Sequence, residues 1–370
     1  MQRDFLAGEP MRAKLIPGFL RERFANPEAA VLIFVIGLGA LGIIFLGKIL
    51  TPVLAGLVIA FLCEPLVSGM SRYLKFPRNF AVGIVFFLFM GVLVIGIVGL
   101  LPMLWRQLSQ AITEFPDMIK NLNVYLLSLP QQYPDYVPQK LIDNLISNTS
   151  LFNASSSSAL GKVVWTYSMS SISGVITALV YLFLVPLAMF FFLKDKRTML
   201  NWLSQHLPAQ NGLLVNVGQE MNLQLGNYVR GKFIEIVIVG LGTYAIFWFF
   251  GLNYAALLAS LVGISVMIPY VGMVLVTIPV FVLGFVQWGM SDHFIYMFLV
   301  YLTFQALDGN LLVPLLFSEA VNLHPIAIIV AILVFGGIWG FWGLFFAIPL
   351  ATLVKTLINA WIKAGDNLSR

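Results

Sequence analysis

The stretch Tyr254–Met290, YAALLASLVGISVMIPYVGMVLVTIPVFVLGFVQWGM, carries no charged side chain, and its sharpest interruption is Pro269-Tyr270-Val271-Gly272. As one helix its roughly 36 residues would run about 54 Å, well beyond the ~30 Å of a bilayer's hydrocarbon. A single straight crossing does not use that length. Proline removes a helix donor and glycine permits a sharp turn, so the pattern reads as a helix, a turn and a second helix. The stretch Ile326–Trp361 repeats it, breaking within Gly336-Gly337-Ile338-Trp339-Gly340-Phe341-Trp342-Gly343. Each stretch is either two full spans or a hairpin that enters and leaves by one face. Hairpins are the favoured reading. Irregular backbone at membrane depth survives only where protein or a water-filled cavity satisfies it, so re-entrant hairpins would mark a transport region.

The rest of the chain agrees with a membrane setting. Of 370 residues, 60% are hydrophobic and only 10% charged, which excludes an ordinary soluble enzyme. Runs near the ~20 residues that cross hydrocarbon occur at Ala29–Leu50, Thr51–Val67, Ala81–Leu104, Ser171–Leu193 and Phe233–Leu252. The expected fold is an all-α polytopic membrane protein of about eight hydrophobic helical segments, two of them broken or re-entrant hairpins. The first apolar run is long and lacks a following small-residue cleavage site, so it reads as an uncleaved span. Cys63 is the single cysteine and His206, His293 and His324 are scattered, which argues against disulfides, a metal site or any cofactor.

Charge sets the expected topology. Arg3, Arg12, Lys14, Arg21 and Arg23 precede the first span, Arg72, Lys75 and Arg78 follow the second, and Lys355, Lys363 and Arg370 crowd the end. By the positive-inside rule both termini are cytoplasmic. The net charge of +5 is therefore topological and does not argue for nucleic acid. The organisation read from the sequence is a basic segment at 1–28, membrane helices 1–3 at 29–104 and an external amphipathic segment at 105–170. Membrane helix 4 at 171–193, a cytoplasmic interfacial segment at 194–232, a transport region at 233–361 and a tail at 362–370 complete it. In the external segment Trp105, Leu108, Ile112, Phe115, Ile119, Leu122 and Leu126 recur at three and four, an apolar stripe that needs a partner. It lies on the membrane surface or packs against its copies in an oligomer. Leu214, Val217, Met221, Leu225 and Tyr228 repeat the spacing on the inner side, as a helix along the interface.

The polar residues of the apolar C-terminal half are the candidate site. Asp308, Gly309 and Asn310 follow Gln305. A charge near the bilayer centre costs at least ~2.5 kcal/mol, which is hard to explain unless it lines a path. A broken turn there would offer carboxylate, amide and free carbonyls to a cation or a polyhydroxylated solute; the plainer reading is a capped helix end at the interface. Glu319 and His324 flank Asn322 as candidates for gating or a solvated loop. Glu235, three residues after Lys232, reads first as half of an i,i+3 ion pair and second as a coupling group. Glu64, beside Pro65, is a weaker coupling candidate. Pro269, Gly272, Gly336, Gly337, Gly340, Gly343 and Pro349 are candidate hinges or gates. No GxxxxGK[ST], HExxH, GxSxG or CxxC occurs, so neither ATP-driven pumping by this chain alone nor hydrolysis is expected, and the chain does not read as an enzyme.

FFFLKDK (Phe190–Lys196), NYVRGKFIE (Asn227–Glu235), IPYVGMVLVTIP (Ile268–Pro279), QALDGNLLVPLLFSEAVNLHP (Gln305–Pro325) and FGGIWGFWGLFFAIPLATLVK (Phe335–Lys355) resemble characteristic blocks of the autoinducer-2 exporter family, also called the PerM permease family. The likeness extends from about Asn26 to Trp361 and is strongest to PerM-type members. It implies a multi-pass protein of the bacterial inner membrane, a homo-oligomer described for the family as a pentamer, and one of two cargoes. Some members export autoinducer-2, a small polyhydroxylated quorum-sensing signal; others exchange Na+ or Li+ for H+. The first expectation is an ATP-independent permease exporting a small polar metabolite or signal, and the second a cation/proton antiporter by antiport. A third is an envelope scaffold or lipid-handling partner acting through the external segment.

Overall fold

The computed structural model of the chain describes residues 27–132, 134, 138–140, 142, 172–206, 212–269, 271–317 and 323–366. Every regular element among them is helical, because only helices satisfy all backbone groups locally when most side chains face hydrocarbon. Among the described residues six segments are long and apolar enough to cross a bilayer: Ile49–Tyr73, Arg78–Ser128, Ile176–Lys194, Gly218–Phe250, Val271–Trp288 and Asp292–Phe317. The apolar helices Ala255–Ser265, Ile326–Trp339 and Ala347–Thr356 are shorter. The chain is an all-α polytopic membrane protein. Its described residues fall into two compact units, one from 51–196 and 226–320, the other from the residues up to 50, 197–225 and those from 321 onward.

In the larger unit the second half of helix α1 (Pro27–Tyr73) packs with α2 (Arg78–Ile95) and α4 (Ile172–Lys194) around Val67, Val82, Val85 and Met189. The runs 29–50 and 51–67, read from the sequence as two spans, form one uninterrupted helix with Pro52 and Pro65 inside it. Glu64 locks the ends of α1, α2 and α4 together. Its Oε2 lies 3.0 Å from Arg78 Nη2 and its Oε1 3.2 Å from Nζ of Lys196, the first residue of α5 (Lys196–His206), while Arg78 Nη2 also donates to the Leu193 carbonyl at 2.8 Å. Glu64, read from the sequence as a coupling candidate, thus stands with two cationic partners at a helix junction.

Helix α2 continues through a π-helical turn, Gly96–Leu100, into α3 (Leu101–Gln132), which passes Pro116 as a helix. Of the external stripe Leu108, Ile112, Phe115, Ile119, Leu122 and Leu126 are half-buried, while Trp105 is exposed. The helix has a partner within the chain: Gln107 Oε1 accepts from Leu257 N at 2.8 Å, Glu114 accepts from the Tyr254 hydroxyl, and Tyr125 meets Phe285 edge-on at 4.8 Å. Beyond α3 only residues 134, 138–140 and 142 of the external segment are among the described residues.

Helices α6 (Gly212–Phe250), α7 (Ala255–Ser265), α8 (Val271–Trp288) and α9 (Asp292–Leu307) form the second core, around Val239, Phe247, Val262, Val280, Met297 and Tyr301. The segment expected to lie along the interface is the first part of α6 and runs into the span without a break. Between α7 and α8 the helix stops at Ser265, where Pro269 and Gly272 were expected to break it. Both ends of this hairpin are tied at one level: Asn253 N donates to Gln287 Oε1 and Gln287 Nε2 to the Gly251 carbonyl, each at 2.8 Å. Its tip reaches Lys232, 18 residues or about 27 Å back along α6 from Phe250. The two ends of the hairpin thus lie together; α7, at 11 residues or about 16 Å, is about half a span, whereas α8, at 18 residues or about 27 Å, is long enough to cross.

In the smaller unit α11 (Pro325–Trp339) is followed by a short helix, α12 (Phe341–Phe345), and by α13 (Ala347–Asp366). The turn falls on Gly340, whose φ of +62° suits glycine. Gly336 and Gly337 lie within α11 and Pro349 sits buried in the first turn of α13, where proline fits a regular helix. Only Gly340, of the hinge candidates here, supplies a backbone break. Gly343 permits contact: a Cβ there would lie 1.8 Å from the Phe335 carbonyl oxygen.

Candidate functional site

The candidate site lies where α6, the tip of the α7–α8 hairpin and the end of α9 meet. On α6 Lys232 and Glu235 stand three residues apart, one turn on the same face, and their side chains are 5% and 3% exposed. Lys232 Nζ lies 2.7 Å from Glu235 Oε2 and donates to the Val266 carbonyl at 2.8 Å. Val266 closes α7, so the ammonium satisfies a backbone carbonyl that the break in the hairpin leaves open. The Phe317 ring completes the surroundings, its centroid 5.2 Å from Nζ and 5.7 Å from the Tyr228 ring.

Asp308 comes from the opposite side. Tyr301, Gln305 and Asp308 follow one face of α9 at intervals of four and three. The helix then widens into a π-helical turn, Asp308–Leu312, before α10 (Val313–Phe317). One extra residue per turn keeps Leu312 and Phe317, four and five residues further on, on that same face. The broken turn expected at Asp308–Asn310 is therefore a continuous, over-wide helix. Asp308 Oδ1 is buried without a hydrogen-bond partner, and its carboxylate interacts electrostatically with Lys232 and with Glu235. Gly309 and Asn310 are exposed, and the Asn310 amide donates to the Ala306 carbonyl at 2.8 Å. Asp308 is thus separated from the two residues read with it.

A row of uncharged polar groups continues up α9. Gln305 Nε2 donates to the Tyr301 hydroxyl at 3.1 Å, and that hydroxyl lies 3.1 Å from Thr277 Oγ1 on α8. Gln305 Oε1 and, on α6, Thr243 Oγ1 are buried and unpartnered. A buried acceptor without a donor costs about 1–3 kcal/mol, so orphans gathered on facing helices at membrane depth fit a place built to receive donors from a ligand.

Other sequence candidates lie elsewhere. His324 caps α11, its Nδ1 accepting from Ile326 N at 3.3 Å, and belongs to the smaller unit; Glu319 lies outside the described residues. Gly272 belongs to the tip itself, where a Cβ would stand 1.8 Å from the Ser265 carbonyl oxygen. Val266, Tyr301 and Thr277 escaped the sequence reading. Among the described residues no group of three or more His, Cys, Asp and Glu is placed to hold a metal ion.

The sequence profile described as AI-2E family transporter matches residues 32–363 of this chain. The chain belongs to that family. Among similar proteins of the AI-2E family, the one named "Putative permease PerM" in Escherichia coli (strain K12) is 45% identical over 349 residues, which is 94% of this chain and 97% of that one. "Putative transport protein YueF" of Bacillus subtilis (strain 168) is 27% identical over 324 residues, 85% of this chain and 84% of its own. "Putative transport protein YrrI" of the same strain is 23% identical over 325 residues. The blocks around Lys232–Glu235, the hairpin tip and Asp308 all fall inside the span that defines the AI-2E family.

Proposed function

We propose that the protein is an ATP-independent secondary transporter of the bacterial inner membrane that exports a small polar solute, with autoinducer-2 the first candidate, through the site around Asp308. The observation that carries this reading is the buried, unpartnered Asp308 Oδ1 set against the Lys232–Glu235 pair at the tip of a hairpin whose first limb is half a span. Charges at membrane depth are costly unless they serve a path, and discontinuous helices are how secondary transporters bring backbone and side-chain polar groups to their cargo. The names of its relatives speak of permease and transport, which supports the class and leaves the cargo open. Hydroxyl donors of a polar solute would meet Asp308 Oδ1 and Gln305 Oε1.

A second reading, exchange of Na+ or Li+ for H+, draws on one feature of the same site. Two carboxylates share one ammonium, so with all three ionised the cluster holds one negative charge in excess, which a monovalent cation or a proton would balance. Purified protein in proteoliposomes tests both. Asp308→Asn is expected to abolish flux of labelled autoinducer-2 under the first reading and sodium-driven proton movement under the second. Wild-type-like flux in the mutant would remove Asp308 from the site.

A further inference from the structure

Lys232 touches no cargo in the transport scheme as stated, yet it joins the ion pair to the hairpin. Its ammonium is held between Glu235 on its own helix and the Val266 carbonyl at the hairpin tip, and it makes no hydrogen bond to Asp308. The hairpin contributes a backbone carbonyl to this contact, and its one ionisable side chain among the described residues, Tyr254, stands at the opposite end of α7. The titratable groups that face Glu235 are Lys232 and Tyr228 on α6 and Asp308 at the end of α9.

We propose that Lys232 couples protonation of Glu235 to release of the hairpin tip. This rests on the transport reading only for its purpose. With Glu235 ionised, the ammonium bridges carboxylate and carbonyl, and the tip is fastened to α6. A proton arriving on a Glu235 oxygen makes a neutral acid; only an O–H bond forms, and the lysine keeps its charge. The strongest attraction left is then the Asp308 carboxylate, because an ion pair in a low-dielectric interior outweighs an ammonium–carbonyl contact. Asp308 Oδ1 has no partner while Lys232 holds Val266, so the ammonium must leave its present position to reach it. The Val266 carbonyl then loses its donor, and the tip is free to move. Loss of the same proton from Glu235 reverses the sequence. Lys232 is a positioning residue here: it handles no cargo and transmits charge state to backbone.

The test is hydrogen–deuterium exchange of the full-length protein in nanodiscs, read at the amides of Met267, Ile268 and Gly272. Their bonds to Ile264, Ser265 and Ile268 carbonyls, at 3.1, 3.0 and 3.0 Å, close the tip. Glu235→Gln, which mimics the protonated acid, is expected to speed exchange there by about tenfold or more, the worth of one charged hydrogen bond. Asp308→Asn should leave the tip at the wild-type level, because the ammonium has nowhere else to go. The combined Glu235→Gln/Asp308→Asn protein should return close to wild type, since Val266 is again the best partner. A purely structural ion pair predicts the reverse, with the double variant at least as loose as Glu235→Gln, and that result overturns the coupling. No change in Glu235→Gln overturns it as well. Should Glu235→Gln loosen the core amides around Val280 and Met297 too, wild type and Asp308→Asn are compared at neutral and acidic pH after correction for intrinsic exchange. Acid should then open the tip in wild type alone; opening in both overturns the proposal. Flux plays no part in this readout. A responding tip without flux would retire the transport reading and keep the coupling, and flux without a responding tip would do the opposite.

Discussion

Gly272→Ala tests whether the hairpin is closed by backbone contact. A Cβ at Gly272 would sit 1.8 Å from the Ser265 carbonyl oxygen and 2.7 Å from its carbon. Both are backbone atoms, so no side chain can swing aside. Restoring ordinary contact requires the two limbs to part by about 1.6 Å at the turn, and overpacking of that kind costs ~1–3 kcal/mol. Gly272 N also donates to the Ile268 carbonyl at 3.0 Å; its loss adds about 1 kcal/mol. The expected penalty is therefore roughly 2–4 kcal/mol, seen as a fall of several degrees in the unfolding midpoint of detergent-purified protein followed by tryptophan fluorescence. Gly309→Ala is the matched control. It changes a helical glycine with nothing within 4 Å of the added carbon, and alanine there should be neutral or stabilising by up to ~1 kcal/mol. If Gly272→Ala melts with wild type, or Gly309→Ala falls as far, the hairpin does not close as described.

Lys232→Met leaves Glu235 buried and unpaired and should cost ~3–5 kcal/mol in denaturant melts, whereas Lys232→Met/Glu235→Leu should recover most of it, because a buried pair is weak support but a lone buried charge is expensive. Asn310→Leu should keep transport within about threefold of wild type, since its amide is spent on the Ala306 carbonyl and its side chain is exposed. Burial, and then the hydrogen bond to Glu114 and that residue's charge, push the Tyr254 phenol above its ordinary value. The folded state prefers the protonated phenol, so its contribution is complete below about pH 10 and is lost as pH rises through the higher folded value. Wild type minus Tyr254→Phe tyrosinate absorbance should show one phenol ionising later than exposed tyrosines such as Tyr73 and Tyr296, and ionisation together with those would break the link between external helix and hairpin.

The broken hairpins were legible because proline and glycine act locally: Pro269 has no donor to continue a helix, and Gly272 is needed wherever two backbones touch. The Lys232–Glu235 pair was legible because i,i+3 spacing is a local geometry. Its partners were not, since Val266 lies 34 residues from Lys232 and Asp308 is on another helix. Asp308 drew attention by its cost in an apolar run, but its grouping with Asn310 assumed a broken turn. A π-helical turn leaves no mark in composition, and it put the two side chains on different faces. The junction at Leu50–Thr51 failed for a similar reason. Two apolar runs back to back have the length of two spans, and hydropathy does not say whether the backbone turns between them. The contacts of the external helix with the hairpin could not be read either, because Gln107, Glu114 and Tyr125, which make them, stand beside the apolar stripe and not in it.

The brevity of α7 bears on how the protein is made. Eleven residues are too few to be stable alone and too few to cross, so the hairpin has no means of settling as a pair of spans when it leaves the ribosome. Its open carbonyls, Val266 among them, need donors that α6 already offers and packing that α9, not yet synthesised, will supply. The order of translation and the order of assembly therefore differ: α9 must be in place before the segment ahead of it can be seated, and a chain stopped at Met290 would carry every residue of the hairpin without the wall that holds it.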